Sequence, residues 1–393
     1  MSRLPSLARV GWLRTPPIRR VFAALREAGG EGRVAGGAVR NALLKIPVAD
    51  IDIATTLTPE QVTAACLRAG MAVHPTGIDH GTVTVVANHH PFEVTTLRLD
   101  METDGRHAKI QYTDDWEADA FRRDFTMNAL YCDERGKIYD YTNGYEDTLR
   151  KRIRFVGDAE QRIREDYLRI LRFFRFHARF GVGAPDRCSL AACVAMAEGL
   201  DRLSVERIRQ EMFKLMAAPG AVGTLKLMAR KGILGKIILH TDDWRVIGRL
   251  PPDPVLRLAV LAREPETMKR QWRLSNEEAH RIGVIQSGVP PTPTLRPREQ
   301  RIILYQTGAD AWRDLVTVAW ARSAAPMDDA RWKRLLRLPV RWPVPRLPVT
   351  GRDLLDRGVP PGPEIGAALR ALEDWWVASD FRPGKEDLLK RIS

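Results

Sequence analysis

Asp166 and Arg169, in the run Arg164-Glu165-Asp166-Tyr167-Leu168-Arg169, set a hydrogen-bond acceptor beside a planar donor. Three residues along a helix is about 300° around its axis, so the spacing puts both side chains on one face. Cytosine and adenine each present an amino donor beside a bare ring nitrogen on the Watson–Crick edge. Uracil and guanine present a carbonyl beside an N–H. An Asp/Arg pair therefore complements C and A and opposes acceptor to acceptor in U and G. Such pairs also occur as plain surface ion pairs, so the reading depends on what stands upstream.

Upstream stand Gly36-Gly37-Ala38-Val39-Arg40 and Asp50-Ile51-Asp52-Ile53. Arg33 to Ala35 reads as a short strand, the glycine pair as a tight turn and Ala38 to Lys45 as a short helix. Glycines let backbone N–H groups approach a phosphate closely, and a helix start favours an anion. Arg40 adds a forked, charge-assisted contact. Val48 to Ala54 alternates as a strand, so Asp50 and Asp52 project from one face while Ile51 and Ile53 face the core. Two neighbouring carboxylates repel, and oxygen donors of this kind suit Mg²⁺ in phosphoryl transfer. Glu93, in an apparent strand Phe92 to Leu97, is either a third carboxylate beside them or the partner of an arginine.

These runs, with Gly81-Thr82-Val83, Glu93 to Arg98, Asp104-Gly105-Arg106, Arg122 to Ala129, Glu165 to Arg169, Arg172 to Phe176 and Ser204 to Ile208, resemble the class II nucleotidyltransferases that act on RNA 3′ ends. That family comprises the CCA-adding tRNA nucleotidyltransferases and bacterial poly(A) polymerases. The resemblance covers about residues 30 to 215. It implies an α/β nucleotidyltransferase head, a mixed sheet with flanking helices, followed by an all-α neck, body and tail. It implies that Gly37 and Arg40 hold the triphosphate and that Asp50 and Asp52 are catalytic metal ligands. Arg123 and Asp124 would stand by the ribose and phosphates, Asp166 and Arg169 would read the base, and Arg172 and Arg175 would complete the pocket. On one ideal helix Arg172 lies about 120° from Asp166, and Arg175 lies opposite it. Asn41 departs from the family's usual Asp after the arginine, keeping the size and losing the charge.

The implied reaction transfers CMP twice and AMP once from CTP and ATP to tRNA, with Mg²⁺. Pro75-Thr76-Gly77 before His80-Gly81-Thr82, and an end without a long basic tail, favour CCA addition over poly(A) synthesis. A CC-only or A-only enzyme, or an RNA-binding protein with a dead head, are the other readings. Intact Asp50 and Asp52 speak against the last.

The chain's net charge is +13, and residues 149–182 hold ten Lys/Arg against four Asp/Glu, which points to an RNA backbone following the head. The first twenty residues lack a signal-peptide run and no stretch suits a membrane span. Cys66, Cys132, Cys188 and Cys193 form no metal or redox spacing, Cys188 and Cys193 read as buried, and a cytoplasmic setting follows. Nothing indicates an obligate protein partner. The expected divisions are a head at 1–150, a neck at 151–220 binding base and RNA, and a helical body and tail at 221–393. Helix is expected from Arg162 onward, and a mobile loop between Arg98 and Trp116. Eight of the ten tryptophans fall at or after Trp244, either as core or as stacking surfaces for tRNA.

Overall fold

The computed structural model describes residues 4–103 and 108–392. They form two compact units, Met1–Ile238 and Leu239–Ser393.

The first unit is built on nine strands, β1 (Gly32–Ala35), β2 (Asp52–Thr55), β3 (Ala72–Gly77), β4 (Thr82–Ala87), β5 (His90–Thr96), β6 (Arg98–Thr103), β7 (Ala108–Tyr112), β8 (Leu130–Cys132) and β9 (Ile138–Asp140). Seven make one sheet in the order β3-β4-β5-β2-β1-β8-β9. It is mixed: β2 and β5 run parallel while the other neighbours run antiparallel. Alternation assigns the faces. Val34 and Ile53 pack into one apolar layer with Ile18, Phe22 and Leu25, and Ala35 and Ala54 into another with Leu97, Trp116 and Tyr131. Asn88 and His89, both at positive φ, turn β4 into β5, where the sequence suggests a hairpin.

Ten helices accompany these strands: α1 (Pro16–Glu27), α2 (Gly37–Leu43), α3 (Pro59–Arg68), α4 (Trp116–Phe121), α5 (Gly144–Leu149), α6 (Ala159–Glu165), α7 (Leu168–Phe180), α8 (Arg187–Ala195), α9 (Val205–Met216) and α10 (Ala221–Arg230). Phe125 joins sheet to helices, with ring centroids 5.0 Å from Phe155 and 5.1 Å from Phe176.

Four expectations are corrected. The Asp50–Asp52 strand begins only at Asp52, because its β1 partner ends at Ala35↔Asp52, where the chain turns at Gly36; Asp50 precedes the strand. The helix expected from Arg162 breaks at Asp166, whose backbone is extended (φ −157°, ψ 106°). Its Oδ1 accepts the Leu168 N–H at 3.1 Å, a local side-chain bond that competes with helix just where the next one begins. The segment from Arg98 to Trp116 holds the β6–β7 ribbon rather than an irregular loop; of it, Asp104-Gly105-Arg106 lie outside the described residues. Cys188 is exposed, unlike buried Cys193.

The second unit is helical, from Trp244–Arg249 to Lys385–Leu389. Prolines open several of its helices (Pro254, Pro265, Pro297, Pro363), where a missing N–H costs nothing. Trp272, Trp312, Trp320, Trp332 and Trp376 are buried, so most of the tryptophan-rich part is core and not an exposed stacking surface. No helix among the described residues is long and apolar enough to cross a membrane.

Candidate active site

A cleft of about 470 Å³ in the first unit gathers residues from β1–α2, β2, β6, the segment after α4, the α6–α7 break, α7 and α9. Gly37, Arg40, Asp52, Arg123, Asp124, Asp166, Arg169 and Arg172 all line it. Asp50 and Arg175 do not. Seven arginines and three aspartates line it, a wall whose chemistry suits a polyanion.

The glycine turn makes the first wall. Gly36 adopts φ 64°, and a Cβ there would lie 3.1 Å from the Asn128 carbonyl oxygen and 3.4 Å from Arg123 Nη1. Only glycine lets the turn sit this close to both. Arg40, one turn into α2, is buried. Its Nη1 donates to Asn128 Oδ1 at 2.5 Å, and its Nε and Nη2 donate to Asn41 Oδ1 at 3.1 and 2.9 Å. Asn41 thus orients Arg40 without neutralising it, and no carboxylate among the described residues pairs with it. Burial, then Arg179, with Arg175 and Arg172 adding to them and Asp124 opposing, lowers Arg40 to about 10. It remains charged at neutral pH, and an anion would relieve it.

The floor is acidic. Asp52 and Glu93 are register partners on the parallel pair β2–β5, and side chains of such partners share a face. Asp52 opens to solvent, yet its carboxyl is raised above the ordinary value by desolvation against the cleft wall, then by Glu93 and Asp50, with Arg123 opposing. Among the described residues no three ligating side chains close into a ready cage. Mg²⁺ does not ask for one, since it keeps waters and takes one or two carboxylates with substrate phosphates. Carboxylates held together against their own repulsion are a fitting donor set.

Buried Asp119 anchors the next arginines, pairing with Arg122 at 2.7 Å and Arg123 at 3.0 Å and accepting the Tyr131 hydroxyl at 2.6 Å. Burial would raise its carboxyl, but Arg123, Arg122 and Tyr131 together hold it at about 2. Asp124 accepts Arg172 Nε at 2.8 Å and Asn128 Nδ2 at 3.1 Å. Burial opposes these contacts, and Arg172 nevertheless keeps it below the usual carboxylate range.

The opposite wall holds Asp166 and Arg169. Asp166 stands at the break and Arg169 follows it on α7, so both line the cleft without sharing a helical face. Asp166 Oδ2 accepts Arg207 Nη2 at 2.7 Å. Arg169 Nη1 donates to the Arg162 carbonyl at 2.8 Å and to Glu165 at 2.5 Å, and Nη2 to the Arg122 carbonyl at 3.4 Å, so its Nε has no hydrogen-bond partner among the described residues. Arg175 turns away: its Nε donates to buried Glu211 at 2.5 Å, tying α7 to α9. Arg98, Arg122, Asn128, Phe176 and Arg207 also line the cleft. The motifs contain them, but the sequence assigns them no role, and nothing in it pairs Arg207 with Asp166.

Residues 32–154 match the Poly A polymerase head domain, 185–244 a probable RNA and SrmB-binding site of polymerase A, and 255–392 a putative tRNA nucleotidyltransferase domain 2. The zebrafish (Danio rerio) mitochondrial CCA tRNA nucleotidyltransferase 1 is 35% identical over 92% of this chain and 87% of its own. The CCA-adding enzyme of Geobacillus stearothermophilus is 34% identical over 91% and 92%. A crystal structure of a Bacillus stearothermophilus CCA-adding enzyme in complex with CTP superposes with TM-score 0.81 at 31% identity, covering 96% of this chain and 98% of that one. The chain belongs to the tRNA nucleotidyltransferase and poly(A) polymerase family.

Proposed function

We propose that this protein adds C, C and A to tRNA 3′ ends from CTP and ATP, with no nucleic-acid template. The observation that carries this is one cleft holding an acceptor–donor pair for a base edge (Asp166, Arg169), a cationic wall for phosphates (Arg40, Arg123, Arg172) and a carboxylate floor (Asp52). Relatives named as CCA-adding enzymes along nearly the whole chain favour this product over a poly(A) tail.

In this reading the tRNA 3′-hydroxyl forms a bond to the nucleotide's α-phosphorus as the bond to pyrophosphate breaks, and the hydroxyl proton leaves to solvent. The backbone at Gly37 and the guanidinium groups of Arg40, Arg123 and Arg172 hold the triphosphate. Asp124 fixes Arg172 and stands by the ribose. Asp166 accepts the amino group of cytosine or adenine, and Arg169 Nε donates to the adjoining ring nitrogen. Asp52, with Asp50 beside it and Glu93 as a candidate third carboxylate, would hold Mg²⁺. When bound, that ion supplies charge neutralisation on the leaving pyrophosphate and a lower pKa for the attacking hydroxyl. Arg175 acts from behind the wall through α9 and its field on Arg40. Residues 1–150 act as the catalytic head, 151–220 as the neck that reads base and RNA, and 221–393 as the tRNA-holding remainder.

The test is to incubate the protein with tRNA lacking its 3′ end, CTP, ATP and Mg²⁺, and sequence the products. Discrete CCA ends are expected; long oligo(A) on unstructured RNA would replace this reading with poly(A) synthesis. Asp166→Ala and Arg169→Ala should admit UTP and GTP while slowing the reaction, because a polar edge rejects mismatches by leaving buried groups unpaired. Variants that still exclude both nucleotides would remove the base-reading role.

A further inference from the structure

Phe176 and Phe180 stand one turn apart on α7, both buried, with ring centroids 5.7 Å apart. Four guanidinium groups rest on these two rings. Those of Arg175 and Arg172 lie 4.5 and 5.6 Å from the Phe176 centroid. That of Arg179 lies 5.4 Å from Phe180. Arg40 reaches across from α2 and lies 4.2 Å from Phe180 and 5.4 Å from Phe176.

Counter-charge is short. Asp124 pairs with Arg172 and Glu211 with Arg175, while Arg40 and Arg179 have no carboxylate partner among the described residues. Four cations against two anions should spread apart, yet they stay clustered. Amide oxygens account for Arg40's orientation but not for the clustering. An aromatic ring presents negative faces that attract guanidinium groups, most strongly where water is excluded. The two rings supply the missing attraction without adding a carboxylate that would cancel the positive field.

We propose that Phe176 and Phe180 form an aromatic ledge that positions a like-charged guanidinium cluster on the cleft wall, ready for a triphosphate. The proposal rests on the nucleotide-binding reading above and adds the residues that assemble its cationic wall. Arg40 and Arg172 face the cleft with the Phe176 ring, and Arg175 and Arg179 strengthen the field from behind. The ligand is the polyphosphate of either nucleotide, so base choice is untouched.

Phe176→Leu and Phe180→Leu keep apolar bulk and lose the ring face, whereas Phe180→Tyr keeps the ring. The measurements are CTP affinity by titration calorimetry, KM and kcat for CTP and ATP, and tRNA affinity. Each leucine variant should weaken CTP binding about tenfold, since each removes a desolvated cation–π contact to Arg40, which both rings carry. KM for both nucleotides should rise together, tRNA affinity should stay unchanged, and Phe180→Tyr should match the parent. A folded Phe180→Leu that binds CTP like the parent overturns the ledge, as does a Phe180→Tyr as weak as the leucine variant, which would mean packing alone. Should Phe176→Leu fail to fold, Phe180→Leu, at the last residue of α7, decides. Arg40→Met separates this idea from the one beneath it. If Arg40→Met loses CTP binding and Phe180→Leu does not, only the ledge fails; if Arg40→Met binds CTP normally, the triphosphate reading fails.

Discussion

Asp52 shows how a single side chain can be costly to the protein by itself and, in the proposed function, be the one that would hold the metal. Its carboxyl is raised by desolvation, by Glu93 and by Asp50, so the folded state holds that proton more tightly than the unfolded chain does. Its contribution to stability is therefore present at low pH and is lost as pH rises through the folded-state pKa. Asp52→Asn should melt higher than the parent at neutral pH in chelator, lose the parent's stabilisation by added Mg²⁺, and lose C and A addition while tRNA binding stays near normal. Calorimetry with and without Mg²⁺ checks this, and a variant that still gains stability from the ion would remove the metal assignment. Asp119 carries the opposite sign. It is held at about 2 by Arg123, Arg122 and Tyr131, so its stabilisation is present above the unfolded value and lost as pH falls between about 4 and 2. Asp119→Asn should cost about 2 kcal/mol at neutral pH, and the gap to the parent should close on acidification. A gap that persists at the acid end would mean packing, and not the charge, is what Asp119 supplies.

At the scale of elements, the break between α6 and α7 sets where Asp166 and Arg169 stand on the cleft wall, and Tyr167, the residue between Asp166 and α7, is packed on Gly199. A Cβ on Gly199 would fall 1.8 Å from the Tyr167 ring, so the ring lies directly on the glycine, with Arg202 at 5.3 Å from its centroid. Gly199→Ala must displace Tyr167, and overpacking of this kind costs about 1–3 kcal/mol. The variant should also incorporate UTP and GTP more readily than the parent, because Asp166 moves with Tyr167. A stability loss with unchanged base choice would uncouple the break from recognition. This break is also where legibility in the sequence ends. The Gly36-Gly37 turn, the helix carrying Arg40 and the strands carrying Asp52 and Glu93 are readable because they depend on turns and alternation within short runs, whereas the parallel pairing that sets Glu93 beside Asp52 joins distant segments, and the sequence leaves Glu93 with two readings. The i, i+3 spacing of Asp166 and Arg169 suggests one helix, but the aspartate's own side-chain bond to the Leu168 N–H interrupts it. Arg207 with Asp166, and Arg175 with Glu211, join separate helices; no local pattern encodes such pairs. Arg175 looked like a pocket residue by motif and is a strut between α7 and α9 in the fold.

For the whole molecule the dominant quantity is charge. A surplus of +13 cannot serve one nucleotide, whose triphosphate meets only the cleft. Structure accounts for much of the basic run from 149 to 182: Arg152 and Arg154 pair with buried Asp147, and Arg172 and Arg175 with Asp124 and Glu211. Among the described residues Arg150 and Arg164 pair only with exposed glutamates, and such surface pairs are weak and readily exchanged for a phosphate. The share of basic residues free to meet RNA is therefore smaller than composition suggests, though still several residues. If about five backbone phosphates are neutralised, tRNA affinity should fall roughly 10²- to 10³-fold between 50 and 200 mM salt. Because the arginines of the cleft are held by buried carboxylates and aromatic rings, CTP affinity measured over the same range should fall much less. Filter binding of tRNA and calorimetry of CTP, run side by side, give both slopes. A flat tRNA slope would assign the arginines to folding and the nucleotide. Two equal slopes would mean that tRNA and triphosphate draw on the same cations, contrary to the separation between the cleft arginines and the exposed basic surface.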